Sequence, residues 1–233
     1  PMNRTLNVVR MQLVNRATFI WVPLIVLGGT LAISLLIFGM LSTSAIDTTT
    51  MFGGGAQAPL WYFLAVGVQA LTLSFPFSQA MSVTRREFYL GTLLTAALTS
   101  VGLAVIFVIG GLIEQATRGW GMNAYMFRLT WIWSQGPLVA GLFFAVVAML
   151  FFVVGFFFAT VYKRWGNLIL TVLLIGLGLV LVGGLWIVGR MDAWGPVFTW
   201  FGSLTPIALT GALVLVTAAL SAVSYGTLRR AIA

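Results

Sequence analysis

Long apolar runs dominate this chain. Six can be drawn, roughly Phe19–Leu41, Leu60–Met81, Leu90–Ile113, Pro137–Val161, Leu168–Gly189 and Thr205–Tyr225. Each is near the ~20 residues an α-helix needs to cross a bilayer. Strands of an outer-membrane barrel alternate in polarity and are about ten residues long, so runs of this kind exclude that class. Composition agrees: 61% of the 233 residues are hydrophobic and 7% are charged. A soluble domain has to cover its outside with polar groups, and these are too few. The expected fold is an all-α integral membrane protein, one domain over residues 1–233 with six transmembrane helices.

The missing residue types narrow the chemistry. The chain has no histidine and no cysteine. That removes the imidazole base, the histidine-ligated metal, the thiolate nucleophile and the iron–sulfur cluster. The expectation is a chain with no catalytic residue and no metal ligand. Its one lysine, Lys163, sits in Tyr162-Lys163-Arg164-Trp165-Gly166, which is not a G-x-x-x-x-G-K-[ST] phosphate loop. Any use of ATP would need another chain to hydrolyse it.

Charge is read by membrane side. The chain has 12 basic and 4 acidic residues, a formal charge of +8. With the N-terminus inside, nine basic residues are cytoplasmic: Arg4, Arg10, Arg16, Arg85, Arg86, Lys163, Arg164, Arg229 and Arg230. Arg118, Arg128 and Arg190 fall outside, with Asp47, Glu114 and Asp192, and Glu87 alone among the acids falls inside. The positive-inside rule therefore puts both termini in the cytoplasm. The whole excess charge then belongs to the membrane face, so no nucleic-acid partner is inferred from it.

Several segments are candidates for mechanism. Residues 3–18 place Met2, Leu6, Val9, Leu13 and Ala17 on one helical face, with Arg4, Asn7, Gln12 and Asn15 off it. This predicts an amphipathic helix lying in the inner interface; the competing reading is an ordinary basic flank. Ser82-Val83-Thr84-Arg85-Arg86-Glu87-Phe88-Tyr89 joins spans two and three. Its basic pair, acid and aromatics suit docking of a partner protein, or a topology signal only. Gln69, Thr72, Pro76 and Gln79 share one face of span two, and Pro76 should kink it. That stripe either packs helices together or lines a pathway. Met122–Trp133 reads as a short helix on the outer interface, and Ser42–Pro59 as a flexible outer loop. Glycines at 28, 29, 176, 178, 183 and 184 leave smooth faces for packing within the chain or between subunits.

These features resemble one family. The basic N-terminal segment, six spans, both ends inside and the length are similar to the membrane-spanning subunit of an ABC transporter of the ABC-2 exporter type. Ser82 through Gly91 resembles that family's short helix after span two. Tyr162-Lys163-Arg164-Trp165-Gly166-Asn167 resembles its basic-aromatic-glycine turn between spans four and five.

The resemblance implies that Ser82–Tyr89 is a coupling helix in a cleft of a nucleotide-binding ATPase subunit, which would hold ATP and magnesium. It also implies a second permease chain, identical or not, and a bacterial cytoplasmic-membrane location. Met191–Thr205 would form re-entrant helices before span six. The alternatives are an ion-driven transporter or channel, against which the absence of mid-span ionisable groups argues, and a non-transporting scaffold. With only Gln, Thr, Ser and aromatics in the spans, a route would suit an amphipathic or apolar cargo.

Overall fold

The computed structural model describes residues 4–42, 50–80 and 83–230. Helix α1 covers Arg4–Val14, and α2 covers Val22–Ser42 after a π-helical turn at Ala17–Trp21. Helix α3 (Ala58–Gln69) passes through a second π-helical turn at Ala70–Ser74 into α4 (Phe75–Ala80). Then come α5 (Arg85–Ala116), α6 (Pro137–Arg190), α7 (Trp194–Ser203) and α8 (Pro206–Arg230). Among the described residues, five helices are long and apolar enough to cross a membrane: Ala17–Ser42, Gly55–Gln79, Arg85–Ala116, Pro137–Arg190 and Pro206–Arg229. The fold is that of an all-α membrane protein.

Helix α6 holds the expected spans four and five in one run of 54 residues. At about 1.5 Å per residue a straight helix of that length would measure roughly 80 Å, far more than a bilayer core of about 30 Å. The run is not straight. Gly166 leaves helical geometry, with φ 80° and ψ −178°. The expected loop over Tyr162–Asn167 is therefore a break at a single residue, where the missing Cβ permits a positive φ.

Contacts at the two ends of α8 fix the direction of each half. At its start, Ile207 N–H donates to Gln135 Oε1 at 3.0 Å, and Trp131 Nε1–H donates to the carbonyl of Leu204 at 3.2 Å. At its far end, Thr227 Oγ1 donates to Thr160 Oγ1 at 3.1 Å. The first half of α6 and α8 thus run the same way. The stretch from Asn167 to Arg190 carries the chain back to the end where it started.

The core lies between α3, α5 and the first half of α6. Phe107 packs edge-on to Phe144 and Phe127, with ring centroids at 5.0 and 5.3 Å. Helices α3 and α6 run antiparallel at backbone contact. A Cβ on Gly67 would strike the carbonyl of Phe152, and one on Gly155 would strike the carbonyl of Leu64. Small residues allow this approach, which dispersion and backbone contacts then hold. Glycines 28, 29, 176, 178, 183 and 184 do no such work within the chain, since nothing lies within 4 Å of a Cβ built on any of them. From Asn167 to Arg190 no residue is buried, and none is in α7.

Helix α1 forms as expected, but its face is rotated. Val8, Val9 and Gln12 are buried, while Leu6 is 49% exposed. It packs along the first turns of α5 rather than standing apart. Gln12, placed by periodicity on the polar side, donates from Nε2 to Thr92 Oγ1 at 2.8 Å. Asn15 ends α1, and its Oδ1 accepts from Thr18 N–H at 3.3 Å, a cap for the helix that follows.

Candidate functional site

The segment expected to dock a partner and the inner turn at Tyr162–Asn167 meet at one end of the bundle, around the last turns of α8. Ser82 and Met81 lie outside the described residues. Val83 is half-buried, and Thr84 caps α5. Thr84 Oγ1 accepts from Glu87 N–H at 3.3 Å, and Glu87 Oε2 accepts from Thr84 N–H at 3.0 Å. This reciprocal pair is a capping box, which satisfies the open donors of the helix start. Glu87 therefore works as part of the helix end. Among the described residues no separate short helix forms here, because α5 starts at Arg85 and continues unbroken to Ala116.

The aromatics of this segment also face inward. Phe88 is fully buried and packs edge-on to Phe75 at 5.2 Å. Tyr89 donates its hydroxyl to the carbonyl of Ser221 and lies 5.1 Å from the Tyr225 ring. They are core residues of this chain, so the aromatic contact expected with a partner is already made internally. Arg85 Nη1 donates to the carbonyl of Arg229 at 3.2 Å, where a cation suits the negative end of the helix dipole. Arg86 is exposed on the rim of a cleft of about 400 Å³ between α5 and α8.

The second motif adds to the same end. Arg164 and Arg229 line a neighbouring groove of about 570 Å³ with Thr227. Arg164 stacks on Trp165 at 4.3 Å, and Arg229 lies 5.9 Å from the Tyr225 ring. Lys163 and Trp165 are exposed beside them, just before the Gly166 break. Arg85, Arg86, Lys163, Arg164 and Arg229 so form one basic end. Tyr225 and Ser221 were not foreseen. Their signal was weak: Tyr225 stands four residues before Arg229, one helical turn in a run otherwise read as a span.

The polar stripe of span two is not gathered into the core. Pro76 is exposed, and Gln69, Thr72 and Gln79 are half-buried. Thr72 Oγ1 donates to the carbonyl of Val68 at 3.0 Å, and Gln79 Nε2 to that of Val83 at 3.1 Å. The expected kink takes the form of the π-helical turn just before Pro76, which has no N–H to continue the regular pattern.

The opposite end is organised by a residue that sequence reading counted only as a charge. Glu114 is fully buried. Its Oε1 accepts from Trp120 Nε1–H at 3.1 Å and Met126 N–H at 2.8 Å; its Oε2 accepts from Phe127 N–H at 3.0 Å and Arg128 N–H at 2.8 Å. The segment expected as an interfacial helix over Met122–Trp133 instead wraps this carboxylate. Arg118, Gly119, Trp120, Gly121 and Asn123 all take positive φ there. Ala124–Tyr125 then pairs in parallel with Met51–Phe52. The described part of the expected flexible loop is thus tied down, with Gly53 against the ring of Phe38.

Met191–Thr205 contains one helix, α7, with Trp194 stacked on Phe198 at 5.9 Å. Among the described residues no group of three or more His, Cys, Asp or Glu side chains is assembled. Compared with protein-family models, curated proteins and solved structures, the chain finds no match.

Proposed function

We propose that this chain is a permease subunit of an ATP-driven exporter of the ABC-2 type. In this reading it makes six passes, with α6 divided at Gly166, and both termini are cytoplasmic. The observation that carries the proposal is the convergence of its two inner motifs on one basic end around α8. A cluster of five cations whose only acidic neighbour in sequence, Glu87, is engaged in a helix cap suits an acidic docking surface. The partner is a nucleotide-binding chain that holds ATP and magnesium. Arg86 and the Arg164–Arg229 groove are the contacts proposed for it, in place of Phe88 and Tyr89. A second permease chain would cover the unburied length of Asn167–Arg190. The location proposed is a bacterial cytoplasmic membrane.

Co-purification from native membranes tests this. An ATPase chain should accompany the tagged protein and be lost in Arg86→Glu combined with Arg164→Glu, with the melting temperature of the permease unchanged. A preparation free of ATPase, or a complex indifferent to both reversals, sinks the reading.

A further inference from the structure

The cleft of about 400 Å³ between α5 and α8 changes character with depth. On α5, Arg86, Leu90 and Leu93 line it at spacings of four and three residues, which keeps them on one helical face. At about 1.5 Å per residue, Arg86 and Leu93 stand roughly 10 Å apart along the axis. Arg85 meets Arg229 and Tyr89 meets Ser221, so the two helices run in opposite directions here. Tyr225 of α8 then lines the cleft nearer its charged end, and Ala222 lines it one turn deeper. The order from the end of the bundle inward is cation, phenol, aliphatic side chain.

The walls are held in place. Tyr89 is 5% exposed; its hydroxyl donates to the carbonyl of Ser221, and its ring lies 5.1 Å from Tyr225 and 5.7 Å from Phe156. Leu90 and Ala222 are exposed, so the cleft opens sideways along the helices. Arg86 is exposed at the rim, and Arg229 lies 5.9 Å from the Tyr225 ring. Among the described residues no acid lines the cleft, and Glu87 is engaged in the cap with Thr84. By contrast, the groove between α5 and the start of α6 has no cation and is apolar throughout, so it offers nothing to a charged head.

The geometry points to a binding site for one acidic phospholipid, with its phosphate on Arg86, its ester region against Tyr225 and an acyl chain along Leu90 and Leu93. A guanidinium pairs with phosphate through several parallel N–H bonds. Phenols favour the headgroup level of a bilayer, and basic pockets between membrane helices hold anionic heads. A zwitterionic lipid would bring a cation of its own beside two arginines. Free phosphate would leave Leu90 and Leu93 uncovered. The lipid enters from the side, past Leu90 and Ala222, and the end of the bundle stays open to a partner. The inference needs only that α5 and α8 cross a membrane; it does not rest on the permease proposal.

Photolabelling of the full chain in phosphatidylcholine nanodiscs tests it. The probes are phosphatidylglycerol and phosphatidylcholine, each with a diazirine on an upper acyl carbon. The acidic probe should label Leu90, Leu93 and Ala222 about fivefold more than the zwitterionic one, the factor that one arginine near a lipid phosphate commands. Arg86→Gln should make the two probes equal. Ala222→Trp should lower labelling of Leu90 and Leu93 by the acidic probe with every charge intact, because the indole fills the cleft. The comparison of probes stands on wild-type protein if either variant does not fold. Equal labelling by both probes in wild-type protein, or a preference that survives Arg86→Gln, overturns the site. Adducts equally frequent at Val223, beside Arg164 and Arg229, would show a diffuse attraction and also overturn it. Loss of the preference in excess inorganic phosphate would make the ligand a free anion, against the proposal. All of these are read without an ATPase partner, so failure here leaves the permease proposal untouched.

Discussion

Glu114 shows what one side chain can organise. Four N–H groups from residues 120 to 128 point at its two oxygens, so that one carboxylate satisfies four donors of an irregular, partly left-handed segment. Glu114→Gln keeps the shape but turns one acceptor oxygen into an NH2 that faces two donors. Losing two bonds to a charged acceptor, at about 1.5 kcal/mol each, should destabilise this end by roughly 3 kcal/mol. The check is a thermal melt with proteolysis between Thr117 and Thr130. Unchanged melting and unchanged resistance to cleavage would show that the hub is dispensable. Nothing in the sequence announced this role. Three of the four donors are backbone groups, brought to Glu114 by positive φ at Arg118 and Trp120, residue types with no preference for it, and at Asn123, where a lone asparagine does not by itself mark such a wrap. Glu87 and Phe88 misled in the opposite sense. An acid and an aromatic beside two arginines look like a docking surface, but three residues after Thr84 an acid is also the partner of a capping box.

Helices as units were far more readable, because hydropathy over twenty residues is a local, additive property. Spans at 19–41 and 90–113 fall within helices that overrun them by a few residues, the span at 205–225 starts one residue before Pro206–Arg229, and the span at 60–81 begins inside Gly55–Gln79 and runs past its end. The rotation of α1 was not readable. Its burial is set by contact with α5, and a helix with Val8, Val9, Leu13 and Val14 on several sides offers more than one apolar face. The packing of α3 on α6 makes a direct prediction. In Gly155→Ala the new methyl meets the backbone of Leu64, which cannot rotate away, so the helices must separate at about 1–3 kcal/mol. Gly176→Ala, with nothing near its Cβ, should leave the monomer's melting temperature unchanged. A melt that drops equally for both, or for neither, would contradict the close approach. If the stripe containing Gly176 meets a second chain, that variant should instead weaken a dimer seen by crosslinking.

The molecule as a whole has two chemically distinct ends. One gathers Arg85, Arg86, Arg164 and Arg229 about the end of α8, and the other gathers Glu114 and four tryptophans, Trp120, Trp131, Trp133 and Trp194. The absence of cysteine makes the sidedness simple to measure, because any introduced thiol is unique. Lys163→Cys should react with an impermeant maleimide only from the cytoplasmic side, and Asp192→Cys only from the outside. Reaction of both from one side would mean that α6 does not cross twice, and the six-pass arrangement would fall. Gly166 also constrains how such a chain is made. Lys163 and Arg164 are the only charges between Pro137 and Gly189. An unbroken helix would drag both into hydrocarbon, at about 2.5–3.5 kcal/mol each on insertion scales. With one glycine as the hinge, no slack exists for the first half to settle in the bilayer while the second is still emerging from the ribosome. In the six-pass arrangement the two halves therefore enter as a hairpin, its tip held back on the side of synthesis by those two cations.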